Sequence, residues 1–160
     1  MTKDQYQKAL SYSLKLIKRR LRSTQELRDK LKLKKYPNDI IERIIKEFKQ
    51  LNYLNDKEFA KAWVNDRINL NPKAPRLLKL ELRQKGVSQR IIDEVLNDII
   101  KQYNFKDIAF DLAKSRHETL KGLSGIDKKK RRIFDYLRRR GFDYSIIYQV
   151  IDKLFEKDEG

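Results

Sequence analysis

Residues 82–96 read LRQKGVSQRIIDEVL, and residues 137–151 read LRRRGFDYSIIYQVI. A fainter copy stands at 31–45, LKLKKYPNDIIERII. A fixed pattern recurring at this period is the mark of a repeat architecture. Working outward, each copy extends into three helices. Ahead of the quoted stretch lies an apolar pair four apart: Leu27 and Leu31, Leu78 and Leu82, Ile133 and Leu137. After it come two apolar doublets: Ile40, Ile41, Ile44 and Ile45; Ile91, Ile92, Val95 and Leu96; Ile146, Ile147, Val150 and Ile151. Phe48, Ile99 and Leu154 follow three residues later. Spacing of this kind paints one wide stripe on a helix, so it predicts a core face.

A further helix opens each unit. In the first, Tyr6, Ala9, Leu10, Leu14, Ile17 and Leu21 are expected on one side; in the second, Phe59, Ala60, Trp63 and Val64; in the third, Ile108, Ala109, Leu112 and Ala113. Ala9 to Leu27 and Ala60 to Leu78 each span 18 residues, whereas Ala109 to Ile133 spans 24, so the third unit carries a longer first loop, KGLSGIDK. Ser23 with Glu26, and Asn55 with Glu58, have capping-box spacing. Pro75 fits a first helical position. Gly86 and Gly141 sit where a left-handed stop is needed, and Ser88 and Asp143 cap the helices that follow. In the first unit Lys35 occupies the glycine position, and Pro37 is expected to enforce the break instead. Breaks are expected near residues 22, 36, 54, 72, 87, 104, 121 and 142. The expected fold is all-α: three tandem three-helix repeats, about nine helices, at 1–54, 55–104 and 105–160, stacked into an elongated, curved array.

Composition sets the chemical limits. The chain has 160 residues, no cysteine, five glycines and three prolines. Disulfides, thiolate metal sites and cysteine nucleophiles are excluded, and a reducing cytosolic setting fits. No apolar run approaches the roughly 20 residues of a membrane span, so no membrane partner is expected. His117 is the single histidine, GLSG lacks the Lys-Ser/Thr of a phosphate loop, and no catalytic constellation stands out. No metal and no cofactor are expected, and the chain reads as a non-enzyme. Trp63 falls in an apolar stripe and reads as core.

What remains is charge. Lys and Arg number 39 against 23 Asp and Glu, a formal +16. That balance points to a polyanion or an acidic surface. One cluster holds Arg19, Arg20, Arg22 and Arg28; another holds Lys129, Arg131 and Arg132 within KKKRR, followed by Arg138 and Arg139. Lys32, Arg83 and Arg138 recur in register, as do Arg22, Lys73 and Lys128, and either set forms a binding stripe or a solvated face. Lys34, Lys85 and Arg140 end the second helices, where the helix dipole explains them.

Three stretches carry a family likeness. RSTQEL at 22–27, LNDKEFA at 54–60 and APRLLKLELRQKGV at 74–87 are similar to R-S-x-x-E-L, L-D-D-x-x-F-A and G-P-x-x-I-x-x-E-L-x-x-K-G-I. In their order and spacing the chain resembles the RecX family, small bacterial regulators of the RecA recombinase, over nearly its whole length. It departs at Asn55, Ala74 and Lys35. Some members are longer, so this sequence can be a piece of a larger chain. The resemblance implies tandem three-helix repeats that bind RecA or the groove of its DNA filament, limiting filament extension, recombinase activity and ATP hydrolysis. It implies a monomeric cytoplasmic protein acting in homologous recombination, DNA repair and the SOS response. The candidate contacts for RecA or DNA are Arg19, Arg20, Arg22, Arg28, Arg83, Lys129, Arg131, Arg132, Arg138 and Arg139. The competing reading is a helical-repeat protein whose primary ligand is DNA.

Overall fold

A computed structural model describes residues 2–156; residues 1 and 157–160, the outer ends of the first and third expected repeats, lie outside the described residues. Among the described residues there are nine helices and no strand: α1 (Lys3–Arg19), α2 (Thr24–Leu33), α3 (Asn38–Gln50), α4 (Asp56–Leu70), α5 (Pro75–Gln84), α6 (Gln89–Gln102), α7 (Phe105–Thr119), α8 (Ile126–Arg139) and α9 (Tyr144–Phe155). Every expected break falls between two of them. The architecture is an all-α tandem repeat. No helix is long and apolar enough to cross a membrane among the described residues.

The repeat register is visible in burial. Leu27, Leu78 and Ile133 are each 0 % exposed, and so are their partners one turn on, Leu31, Leu82 and Leu137. Ala9, Ala60 and Ala109 are equally closed, which brings neighbouring helices close at a side chain with almost no bulk. Fully burying one of the larger side chains is worth about 1.5–3 kcal/mol. In the third helices Ile41, Ile92 and Ile147 are buried, while Ile91 and Ile146 share a half-buried edge. Phe155 takes the buried place expected of Leu154, one residue along.

The opening helix departs from the apolar pattern. Its buried side chains are Ala9, Ser13 and Leu16; Leu10, Leu14 and Ile17 are half-buried and Leu21 is exposed. Ser13 sits at the position that Val64 and Ala113 hold in the other repeats, and its hydroxyl donates to the Ala9 carbonyl at 2.8 Å. A small residue that satisfies its own polar atom enters a core that a hydrophobicity pattern would deny it.

The described chain divides into two compact units. One holds α1–α3, α4 as far as Val64, and Glu81–Val95; the other holds Asn65–Leu80 and the chain from Leu96 onward. Within each, the end of one repeat's second helix lands on the start of the preceding repeat's second helix. In the first unit the Ser23 hydroxyl accepts from the Glu26 N–H at 3.1 Å and donates to the Lys85 carbonyl at 2.6 Å. The Glu26 side chain closes the capping box on the Ser23 N–H and pairs with Lys85 Nζ at 3.3 Å. Lys85 also lies 5.0 Å above the Trp63 ring, so that half-buried tryptophan is covered by a cation as well as packed on Phe59. In the second unit the Ala74 N–H donates to the Arg140 carbonyl at 2.9 Å. The Arg140 guanidinium donates to Asn71 Oδ1 and to the Pro72 carbonyl, and lies over the Tyr136 ring. Lys85 and Arg140 therefore join repeats as well as ending helices.

The glycines are explained by the same joints. Gly86 has φ +77°, and a Cβ there would stand 2.3 Å from Gln25 Cβ. Gly141 has φ +90°, and a Cβ there would stand 2.6 Å from Leu77 Cγ. In the first repeat Lys35 itself takes φ +63°, so the left-handed stop is made by lysine rather than replaced by Pro37. Pro37 is the N-cap of α3 and supplies no side-chain cap bond.

Candidate functional site

The α8 segment builds the most concentrated cationic surface. Gly125, at φ +99°, precedes the helix, and Asp127 lies in its first turn where a negative charge suits the dipole. Ile133 and Leu137 anchor one face in the core of the second unit. The remaining faces are left to Lys128, Arg131, Arg132, Arg138 and Arg139, all exposed, with Lys129 half-buried. Arg131 and Arg138, like Arg132 and Arg139, are seven residues apart, which places each pair on one side about 10.5 Å apart along the axis. Arg138 approaches Asp135 at 3.9 Å, a contact too long and exposed to hold it. The side chains of Lys129, Arg131, Arg132 and Arg139 make no ion pair or hydrogen bond among the described residues, whereas Lys130 lies over the Phe155 ring at 5.6 Å.

Aromatic surface borders these cations. Phe134 on α8 meets Tyr144 and Tyr148 of α9 at 5.4 and 5.5 Å between ring centres. Both tyrosines are more than half exposed. Beside them runs an apolar groove of about 810 Å³, lined by Ile100, Phe105, Phe142 and Ile146 together with Arg76 and Arg138. The groove was not legible in sequence, because Ile100 falls one position past Ile99 and Tyr144 falls between Phe142 and Ile146, so both lie outside the repeated stripe and read as ordinary surface. Their departure from a polar outer face was the available signal.

The other candidate cations sit differently. Arg19 is exposed and has no partner among the described residues. Arg20 pairs with Glu26 at 2.6 Å. Arg22 donates from Nε to the Leu16 carbonyl at 3.1 Å, and burial, with Arg20 nearby, draws its guanidinium below the usual value. Arg28 holds both Glu42 oxygens, at 2.8 and 3.3 Å, and Gln25 at 2.7 Å. Arg83 binds Gln89 Oε1 at 3.1 and 2.9 Å. Three of the ten candidates thus already serve helix ends and turns, Arg28 ties α2 to α3, and five have no side-chain partner among the described residues.

Nothing in the described residues gathers three or more metal-binding side chains. The His117 ring stands edge-on to Phe155 at 5.0 Å, as a packing contact.

Comparison with known proteins accounts for the three repeats. Family models for the first, second and third three-helix domains of RecX match residues 9–48, 55–96 and 106–151. The chain is 34 % identical over 158 residues to the regulatory protein RecX of Clostridioides difficile, covering 98 % of this chain and 72 % of that one. It is 30 % identical over 156 residues to the regulatory protein RecX of Clostridium beijerinckii, covering 97 % of this chain and 72 % of the relative. The crystal structure of RecX from Lactobacillus salivarius superposes with a TM-score of 0.79 at 27 % identity, over 96 % of this chain and 98 % of that one. With three matched domains in order, and relatives aligned over nearly the whole of this chain, the chain belongs to the RecX family of regulatory proteins.

Proposed function

We propose that this protein regulates the RecA recombinase without catalysing a reaction, binding RecA or the RecA–DNA filament and limiting its extension. In this reading it works as a monomer in the cytoplasm, in the control of homologous recombination, DNA repair and the SOS response. The observation that carries the reading is membership of the RecX family over nearly the whole chain. The open cations of α8 support it, since a RecA filament combines a protein surface with a polyanion. Lys129, Arg131, Arg132, Arg138 and Arg139, with Arg19, are the contacts we assign. Arg20, Arg22, Arg28 and Arg83 take part only by giving up the internal bonds they now make. The test is RecA ATP hydrolysis on single-stranded DNA, titrated with wild-type protein and with the α8 five-alanine variant at two salt concentrations. Each charge-assisted contact is worth about 1.5–3 kcal/mol, so loss of even one or two costs roughly tenfold or more in potency. Equal potency of the two proteins at both salts overturns the assignment.

A second reading, with DNA as the primary ligand, is favoured by Tyr144 and Tyr148 beside the α8 cations, since exposed rings stack on bases. It requires tight binding to DNA alone, falling steeply as salt rises.

A further inference from the structure

The joints between repeats define a surface that recurs a third time, at α8, with no cover among the described residues. Aligned on Leu27, Leu78 and Ile133, the first slot of that surface holds Ser23, Ala74 and Lys129. The second holds Gln25, Arg76 and Arg131, and the third Glu26, Leu77 and Arg132. At α2 this surface receives the Lys85–Gly86 turn, through the Ser23 hydroxyl and the Glu26 carboxylate. At α5 it receives the Arg140–Gly141 turn, through the Ala74 N–H. At α8 it receives no turn among the described residues, and Arg131 and Arg132 stand exposed.

The α8 copy keeps one property of the covered copies and inverts another. A donor persists in the first slot, as hydroxyl, N–H and then the Lys129 ammonium; the Lys129 N–H itself is spent on the Gly125 carbonyl. In the third slot the charge reverses. Glu26 accepts a lysine, whereas Arg132 attracts only an anion.

We propose that the first turns of α8 form a docking edge for the C-terminal turn of a helix in a partner protein. That turn ends on glycine and carries an acidic residue where Lys85 and Arg140 stand. The idea deepens the regulatory reading, which supplies the need for a partner. Both covered copies receive a helix-ending turn with its carbonyl forward, so a protein turn fits the slot better than a strand of phosphates. A second copy of this chain is refused. Its counterpart turn, at Lys34 and Lys35, brings two more cations to Lys129 and Arg132. Its Lys35 also carries a Cβ, where one at Gly86 or Gly141 would stand 2.3 or 2.6 Å from the receiving helix.

That refusal supplies the probe, which is the chain itself. Lys34→Glu with Lys35→Gly gives the turn both required features. Sedimentation velocity over a wide concentration range should show wild type and the Lys35→Gly single variant as monomers. The double variant should associate head to tail as concentration rises, and high salt should reverse it by screening the exposed pair. Adding Arg132→Glu to the double variant should abolish association. The proposal falls if the double variant stays monomeric at every concentration while its circular dichroism matches wild type and it melts no lower. It falls equally if association survives Arg132→Glu. If wild type binds a single-stranded oligonucleotide, Arg132→Glu abolishes that binding, and the double variant stays monomeric, the edge is a nucleic-acid surface and the proposal is wrong. RecA enters none of these measurements, so their failure leaves the ATPase titration to decide the regulatory reading.

Discussion

Gly86 and Lys35 occupy the same place in successive repeats, and both have left-handed backbones, at φ +77° and +63°. They should respond to substitution with opposite signs. Gly86→Ala puts a side chain into a conformation costing L-residues about 1–2 kcal/mol. It also places a Cβ 2.3 Å from Gln25 Cβ, an atom fixed one bond from its own backbone, so the chain must shift. Overpacking of that kind adds about 1–3 kcal/mol. The expected loss is therefore about 2–5 kcal/mol, or roughly 5–15 °C in melting temperature for a chain of this size. Lys35→Gly relieves the backbone cost and meets no neighbour. Against this, glycine adds about 0.4–1 kcal/mol of freedom to the unfolded chain. The net gain is about 0–1.6 kcal/mol. Urea unfolding followed by far-ultraviolet circular dichroism measures both, with the slope against denaturant confirming that the unfolded states compare. A Gly86→Ala variant within 1 kcal/mol of wild type would refute the close joint, as would a Lys35→Gly variant destabilised by that amount.

Leu82→Ala and Leu137→Ala should each cost about 2–5 kcal/mol in thermal or urea unfolding, because both side chains are fully buried in equivalent slots; a silent substitution at either would break the repeat register. Burial alone would raise the Glu26 carboxyl, but hydrogen bonds from Arg20 and the Ser23 N–H, with Lys85 nearby, hold it below the ordinary glutamate value. A carboxyl lowered by folding stabilises the protein above its unfolded pKa, and that stabilisation is lost as pH falls through the folded one. Wild type should thus lose stability in acid below the normal glutamate range more steeply than Glu26→Gln, and parallel curves for the two would remove Glu26 from the joint.

Much of this fold could be read from sequence, because the signals were local and repeated. Leu27, Leu78 and Ile133 declare one slot three times, and Gly86 and Gly141 declare one turn twice. What escaped reading depends on contacts between distant residues. Ser13 is buried because its hydroxyl turns back to Ala9, which no hydropathy pattern registers. Lys85 and Arg140 looked like ordinary cations at helix ends, and their reach to Glu26 and Asn71 exists only once repeats are joined. The candidate site was legible as composition, through KKKRR, and illegible as selection. Arg20, Arg28 and Arg83 resemble Arg131 and Arg132 in sequence, and only the folded chain reveals which guanidiniums are already engaged.

The Ser23 hydroxyl has a consequence for the order in which the chain is made. Its carbonyl acceptor lies 62 residues downstream, at Lys85. At the roughly 5–20 residues per second of translation, that separation amounts to about 3–12 s. Throughout this interval the start of α2 is on a nascent chain with its joint unmade, and for about the first half of it Thr24 also lacks the Asp56 carboxylate that accepts from its N–H. The same delay returns between Ala74 and Arg140. Each repeat thus leaves the ribosome with a reserved place for the next, and a pause in synthesis between residues 35 and 85 would expose that place to other proteins for longer.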